Sequence, residues 1–262
     1  SAQVYAQNKF VFSGSDTLAG VMSDAIINAG MENQMQYAGG GSGVGEKGLI
    51  AGDQAIAPMS REINQEASDK LKSAGVQVIP HVIALDGLSV FVNSKNTAKA
   101  MDLQTITRVF TCEFTKWEQI PGSGKSGAIK AYRRNDQSGT TDAFKHFTGL
   151  KTFGACVTVL AETADIADVT SRDDMAIGYS GLSAKTAQNK PLAVAAKPGS
   201  PAVLPTTATI RNFTYPMSRN LYVYEVTGAR KASTVEARFL GYITDRSFMD
   251  PIVQAHDFIT KD

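Results

Sequence analysis

Three short segments of this 262-residue chain collect hydroxyl and glycine residues where an oxyanion would find hydrogen-bond donors. They are Ser13-Gly14-Ser15-Asp16-Thr17, Gly39-Gly40-Gly41-Ser42-Gly43-Val44-Gly45 and Asp136-Gln137-Ser138-Gly139-Thr140-Thr141. Each follows an expected strand and opens an expected helix. The first N–H groups of a helix have no intrahelical partner and carry partial positive charge, and glycine lets a ligand approach the backbone closely. The same residue types are ordinary N-caps, so any one turn taken alone has that simpler explanation. The arginines shift the balance. Ser60-Arg61 closes the expected third strand and Arg133-Arg134 stands just ahead of the third turn, so forked guanidinium donors sit beside anion-suited helix starts.

Enzymatic constellations fare less well. Gly43-Val44-Gly45-Glu46-Lys47-Gly48 fits a bare G-x-G-x-x-G, yet it falls within or just before a short helix instead of at a first strand-to-helix turn, which argues against dinucleotide binding. Gly124-Lys125-Ser126 resembles the end of a phosphate loop, but Gln119 occupies the position of its required first glycine. There is no G-x-S-x-G elbow, and His81, His146 and His256 lack metal-ligand spacing. Neither a metal nor a cofactor is expected. A phosphatase or phosphotransferase using the same anion cradle is the enzymatic alternative, and no nucleophile-and-base pair supports it.

Composition narrows the class further. Lys plus Arg number 26 against 25 for Asp plus Glu, a net charge of +1 that supplies no field for nucleic acid or an anionic membrane. With 43% hydrophobic and 19% charged residues the chain is globular. The longest apolar-rich stretch, residues 76–92, is broken by Pro80, His81, Asp86 and Gly87, so no bilayer-spanning helix is expected. Ser1-Ala2-Gln3-Val4-Tyr5 has neither a basic nor an apolar leader character, consistent with a chain that never had a signal peptide or has lost one. Cys112 and Cys156 either form one bridge, closing a loop of about 45 residues and contributing up to roughly 4 kcal/mol, or remain two buried thiols.

The elements that must position these residues alternate between strand and helix. Strands are expected at residues 9–13, 35–38, 54–59, 76–92, 128–133, 176–179 and 221–226. Helices are expected from Leu18 to the stop at Gly30, across 48–51, at 62–74 with Ile63, Ala67 and Leu71 on one face, and at 103–110, 140–147 and 232–243. The pattern restarts after residue 92, and Pro191, Pro198, Pro201 and Pro205 mark a turn-rich stretch. Two α/β lobes follow, each expected to be a mainly parallel sheet flanked by helices.

The order of motifs resembles the periplasmic phosphate-binding proteins that feed the high-affinity phosphate ABC importer, over nearly the whole chain. The residues concerned are Gly14-Ser15-Asp16-Thr17-Leu18, Gly39-Gly40-Gly41-Ser42-Gly43, Ala57-Pro58-Met59-Ser60-Arg61 and Asp86-Gly87-Leu88-Ser89-Val90-Phe91-Val92-Asn93. Phe114-Thr115-Lys116-Trp117, Arg134-Asn135-Asp136-Gln137-Ser138-Gly139-Thr140-Thr141, Ala176-Ile177-Gly178-Tyr179 and Tyr215-Pro216-Met217-Ser218-Arg219 continue the series.

That resemblance implies a two-lobed type II periplasmic-binding-protein (Venus-flytrap) fold. Lobe I would comprise residues 1–85 and 221–262, and lobe II residues 86–220, with phosphate in the cleft and closure on binding. It implies Ser15, Asp16, Thr17, Leu18, Ser42, Ser60, Arg61, Arg134, Ser138, Gly139 and Thr140 as ligand-binding residues, with Asp136 buttressing Arg134. Some members carry an aspartate where this chain has Arg61, which leaves Asp16 as the candidate acceptor for the proton of hydrogen phosphate and Arg61 either facing the ligand or bracing Asp16. The resemblance further implies a Cys112–Cys156 disulfide, a periplasmic or otherwise extracytoplasmic monomer, and a membrane permease as partner. A binding protein for another tetrahedral oxyanion such as sulfate, and an adhesion or scaffold protein without ligand, are the non-enzymatic alternatives.

Overall fold

The computed structural model describes residues 9–136 and 138–261. Gln137 of the third turn and the segment Ser1-Ala2-Gln3-Val4-Tyr5 lie outside the described residues. In chain order the elements are β1 (Phe10–Gly14), α1 (Ala19–Asn28), β2 (Met35–Gly40), α2 (Ser42–Ala51), β3 (Ile56–Met59), α3 (Gln65–Ser73) and β4 (Val76–Gly87). There follow β5 (Ser89–Asn93), β6 (Ala100–Asp102), α4 (Leu103–Phe110), β7 (Lys130–Arg134), α5 (Gly139–Thr148), β8 (Thr158–Leu160), α6 (Thr163–Arg172) and β9 (Ala176–Ser180). The series ends with β10 (Asn189–Pro191), β11 (Ala193–Ala195), α7 (Thr207–Arg211), β12 (Ser218–Gly228), α8 (Thr234–Thr244) and α9 (Arg246–Ala255). Two compact units result: one runs to Leu85 and resumes at Asn220, and the other is Asp86–Arg219.

In the first unit β1 and β2 pair in parallel, while β12 lies between β3 and β4 and runs antiparallel to β3. Strand periodicity sends alternate residues to opposite faces, and β12 uses both. Leu221 and Val223 join Phe12, Met22, Ile26, Phe239 and Ile252 in one buried cluster, whereas Tyr222, Tyr224 and Val226 join Leu49, Met59 and Leu71 in another. Helices α1, α8 and α9 therefore cover one side of the strand and α2 and α3 the other. The Gln54 side chain extends β3 towards β1 in place of backbone: its Oε1 accepts the Ser13 N–H at 2.9 Å and its Nε2 donates to Ser13 O and Ile56 O, each at 2.8 Å.

The second unit holds a five-stranded sheet in the order β10-β5-β9-β7-β8. β7 is parallel to β8 and β9, and β5 is antiparallel to β9 and β10. Parallel pairs thus stand beside antiparallel ones, because only part of the chain runs as strand-helix-strand crossovers, the connection that parallel pairing needs. Phe110, Phe144, Phe153 and Tyr179 form an aromatic cluster between α4, α5 and the sheet, with the Phe144 and Tyr179 rings stacked at 4.1 Å. Cys112 and Cys156 are disulfide-bonded, with their Cα atoms 6.0 Å apart, fastening the end of α4 to the segment before β8. Among the described residues no helix is long and apolar enough to cross a membrane.

Candidate functional site

Each unit assembles one set of the expected residues. In the first, the ends of β1, β2 and β3 are tied together. Ser15 N–H donates to Pro58 O at 2.8 Å, Gly41 N–H to Gly14 O at 2.8 Å and the Tyr37 hydroxyl to Ser15 O at 2.7 Å. Gly14 lies so close to β3 that a Cβ there would meet Pro58 O at 2.2 Å. The second turn is built from Gly39, Gly40 and Gly41 at φ of 67°, 98° and 98°, a left-handed run that residues with a Cβ resist. Asp16 braces it, accepting the Gly40 N–H at 2.9 Å.

Ser15, Asp16, Thr17 and Leu18 form the link from β1 into α1, the last three as a single 3-10 turn. Ser15 is buried and its hydroxyl oxygen has no hydrogen-bond partner among the described residues. An unsatisfied buried hydroxyl costs stability, and a bound oxyanion is one group that would satisfy it. Ser42 and Ser60, both buried, meet across α2 and the end of β3: Ser60 N–H donates to Ser42 Oγ at 3.1 Å, and the two hydroxyls lie 3.2 Å apart.

Arg61 departs from the expected bracing of Asp16. Its guanidinium makes a fork to Glu46, with Nη1 to Oε1 at 2.6 Å and Nη2 to Oε2 at 3.0 Å, and Asp16 is braced instead by glycine backbone. Glu46 was not legible as a functional residue, since a glutamate inside a glycine-rich helix gives no signal of its partner 15 positions on. Burial pushes the Glu46 carboxyl up, but the hydrogen bonds from Arg61 and Asn64 outweigh that and hold it below the usual carboxylate range.

In the second unit Arg134 ends β7. Its Nε donates to Ala161 O at 2.9 Å and its Nη1 to Thr163 Oγ1 at 2.7 Å, and Glu162 lies 3.8 Å from Nη2. Ser138 caps α5, its Oγ accepting the Thr140 N–H at 3.2 Å, so Ser138, Gly139 and Thr140 form the helix start. Thr141 locks this turn to the strand by donating to Arg134 O at 3.0 Å and pairing with the Tyr179 hydroxyl at 2.8 Å.

The expectation that Asp136 buttresses Arg134 is corrected. Its carboxylate bonds Arg133 at 2.9 and 3.1 Å and Lys145 at 3.2 Å, and these hydrogen bonds, Arg133 first, hold it below the usual carboxylate range. The reason is the strand period. Consecutive residues of β7 face opposite ways, so an acid reaching one arginine misses its neighbour. Thr163, 29 positions from Arg134, had no sequence signal. His81 pairs with Glu225 at 2.8 Å and His256 with Asp24 at 2.7 Å, and among the described residues no acidic, cysteine or histidine group is arranged to hold a metal.

Residues 1–247 match the family described as PBP superfamily domain. A phosphate-binding protein PstS from Pseudomonas aeruginosa is 27% identical over 259 residues, covering 92% of this chain and 80% of that one. Two crystal structures share the fold. A possible phosphate binding protein from Planctomyces limnophilus has a TM-score of 0.84 at 21% identity, covering 98% of this chain and 94% of that one. An ABC-type phosphate transport receptor from Vibrio cholerae has a TM-score of 0.78 at 19% identity, covering 95% and 99%. With the family match spanning nearly the entire sequence and the strand-end turns in place, the chain belongs to the PBP superfamily.

Proposed function

We propose that this protein binds inorganic phosphate reversibly, without turnover, and delivers it to the membrane permease of an ABC importer. The observation that carries the reading is the pairing, in the second unit, of a guanidinium anchored at a strand end with a capped helix start: Arg134 is held by Ala161 O and Thr163, and Ser138 orders the first turn of α5. Arginine matches phosphate oxygens with a planar fork, and a helix start adds N–H donors and partial positive charge. The Ser15 hydroxyl of the first unit, unpartnered among the described residues, is a further donor on this reading.

On this reading Ser15, Thr17, Leu18, Ser42, Ser60, Arg134, Ser138, Gly139 and Thr140 are phosphate-binding residues, with Asp16 as the acceptor that selects a protonated oxyanion. The phosphate-binding relatives support it. The Cys112–Cys156 bridge favours an extracytoplasmic setting. Equilibrium dialysis with labelled phosphate, on protein first unfolded and refolded to strip bound ligand, is the direct assay. Saturable binding displaced poorly by sulfate is expected; release of phosphate from simple esters in step with an intact site would favour the enzymatic alternative instead.

A further inference from the structure

Glu46 stands out among the buried carboxylates of the first unit because every bond it makes goes to one short segment. It is 5% exposed and accepts four hydrogen bonds: Arg61 Nη1 at 2.6 Å, Arg61 Nη2 at 3.0 Å, Asn64 N–H at 2.7 Å and Asn64 Nδ2 at 3.0 Å. Both oxygens are used twice. Arg61 follows Ser60 directly, and Ser60 is bonded to Ser42, the first residue of α2. The guanidinium in turn lies along that same helix start, since a Cβ built on Gly43 would be 3.9 Å from Nη2. A side chain 27% exposed at this place would otherwise sample several rotamers, and its charge would be spread through solvent.

We infer that Glu46 is a positioning residue that fixes the Arg61 guanidinium against the first turn of α2, so that this charge contributes to phosphate affinity and Glu46 acts on the ligand only through Arg61. The inference rests on the phosphate-binding reading above. It accounts for why a buried acid lies within a helix whose start is otherwise arranged for an anion: the carboxylate is consumed by its fork, and the charge that the fork sets at the helix start is positive. Asn64 supplies the remaining two donors, which saturate the carboxylate and leave it no reason to turn elsewhere.

The test is a double-mutant cycle read by phosphate titration and by thermal unfolding of the same ligand-stripped samples. Arg61→Gln and Glu46→Gln are each expected to weaken phosphate binding roughly tenfold, and the double variant to be within about twofold of Arg61→Gln alone. Arg61→Lys keeps the charge but loses the fork, and should behave like Glu46→Gln. Unchanged affinity in Arg61→Gln overturns the inference, as do additive losses in the double variant or a Glu46→Gln variant that unfolds at lower temperature with wild-type affinity. Should Glu46→Gln fail to fold, Arg61→Gln and Arg61→Lys decide the matter on their own. Wild-type protein that binds no phosphate would bring down the functional reading and this inference together, whereas wild-type binding with an indifferent Arg61 brings down the inference alone.

Discussion

The Asp16 carboxylate accepts the Gly40 N–H at 2.9 Å and so joins the turn after β1 to the glycine turn after β2. That bond uses one oxygen, and replacing the acid with an amide keeps it, because the Asn carbonyl oxygen also accepts. What changes is the other position, which becomes an N–H donor. Asp16→Asn is therefore expected to fold normally and to raise sulfate affinity relative to phosphate by roughly tenfold, since sulfate has no proton to offer an acceptor but can receive a donor. Competitive titration of both anions measures the ratio, and an unchanged ratio would reduce Asp16 to a brace between turns.

Arg134→Ala removes a charged donor that Ala161 and Thr163 hold in place, and it should cost phosphate binding about 1.5–3 kcal/mol, with unfolding little affected. Ser42→Ala should show the opposite balance. It removes the Ser42 Oγ that accepts the buried Ser60 N–H, so about 1–3 kcal/mol of stability is lost and affinity changes less. Chemical denaturation alongside binding separates the two, and a larger affinity loss in the serine variant would contradict the assignment.

Much of this was legible because the chemistry is local. Gly39, Gly40 and Gly41 announce a turn that other residues resist, Ser138 announces a cap, and the apolar spacing of Val21, Met22, Ala25 and Ile26 announces α1. What escaped is long-range or masked by unfavourable residues. Helix α6, Thr163-Ala164-Asp165-Ile166-Ala167-Asp168-Val169-Thr170-Ser171-Arg172, is rich in Asp, Thr and Ser, which disfavour helix interiors, and its buried Ile166 and Thr170 mark the face it packs. Helix α9 contains Pro251, and burial of Met249, Ile252 and Val253 outweighs the lost backbone bond. Proximity in sequence hides the alternation of a strand, so the pairing of Asp136 with Arg133 and not Arg134 is not legible, and neither is the role of Glu46, whose partners are 15 and 18 positions away.

Acid should find Glu46. Its folded-state pKa lies below the ordinary value, so the stability it contributes is fully present above the usual glutamate range and is lost as pH falls through the lowered value. Wild type and Glu46→Gln compared by acid unfolding should differ most near neutral pH and converge on the acid side, because the amide cannot titrate. Parallel curves across the whole range would contradict this.

The disulfide joins two residues 44 apart within the second unit. Replacing both cysteines with serine is expected to lower stability by about 2–4 kcal/mol while phosphate affinity stays within roughly twofold of wild type. Urea denaturation and phosphate titration of the double variant check both halves. A large affinity loss at undiminished stability would place the bridge in the binding machinery.

Isothermal titration of ligand-stripped protein with inorganic phosphate, repeated with sulfate and then with phosphate on Arg134→Ala, bears most directly on the central claim. The expected result is saturable phosphate binding at one site per chain, far weaker sulfate binding, and a phosphate affinity reduced at least roughly tenfold in the variant. Phosphate binding that is absent, or equal in wild type and Arg134→Ala, would contradict it.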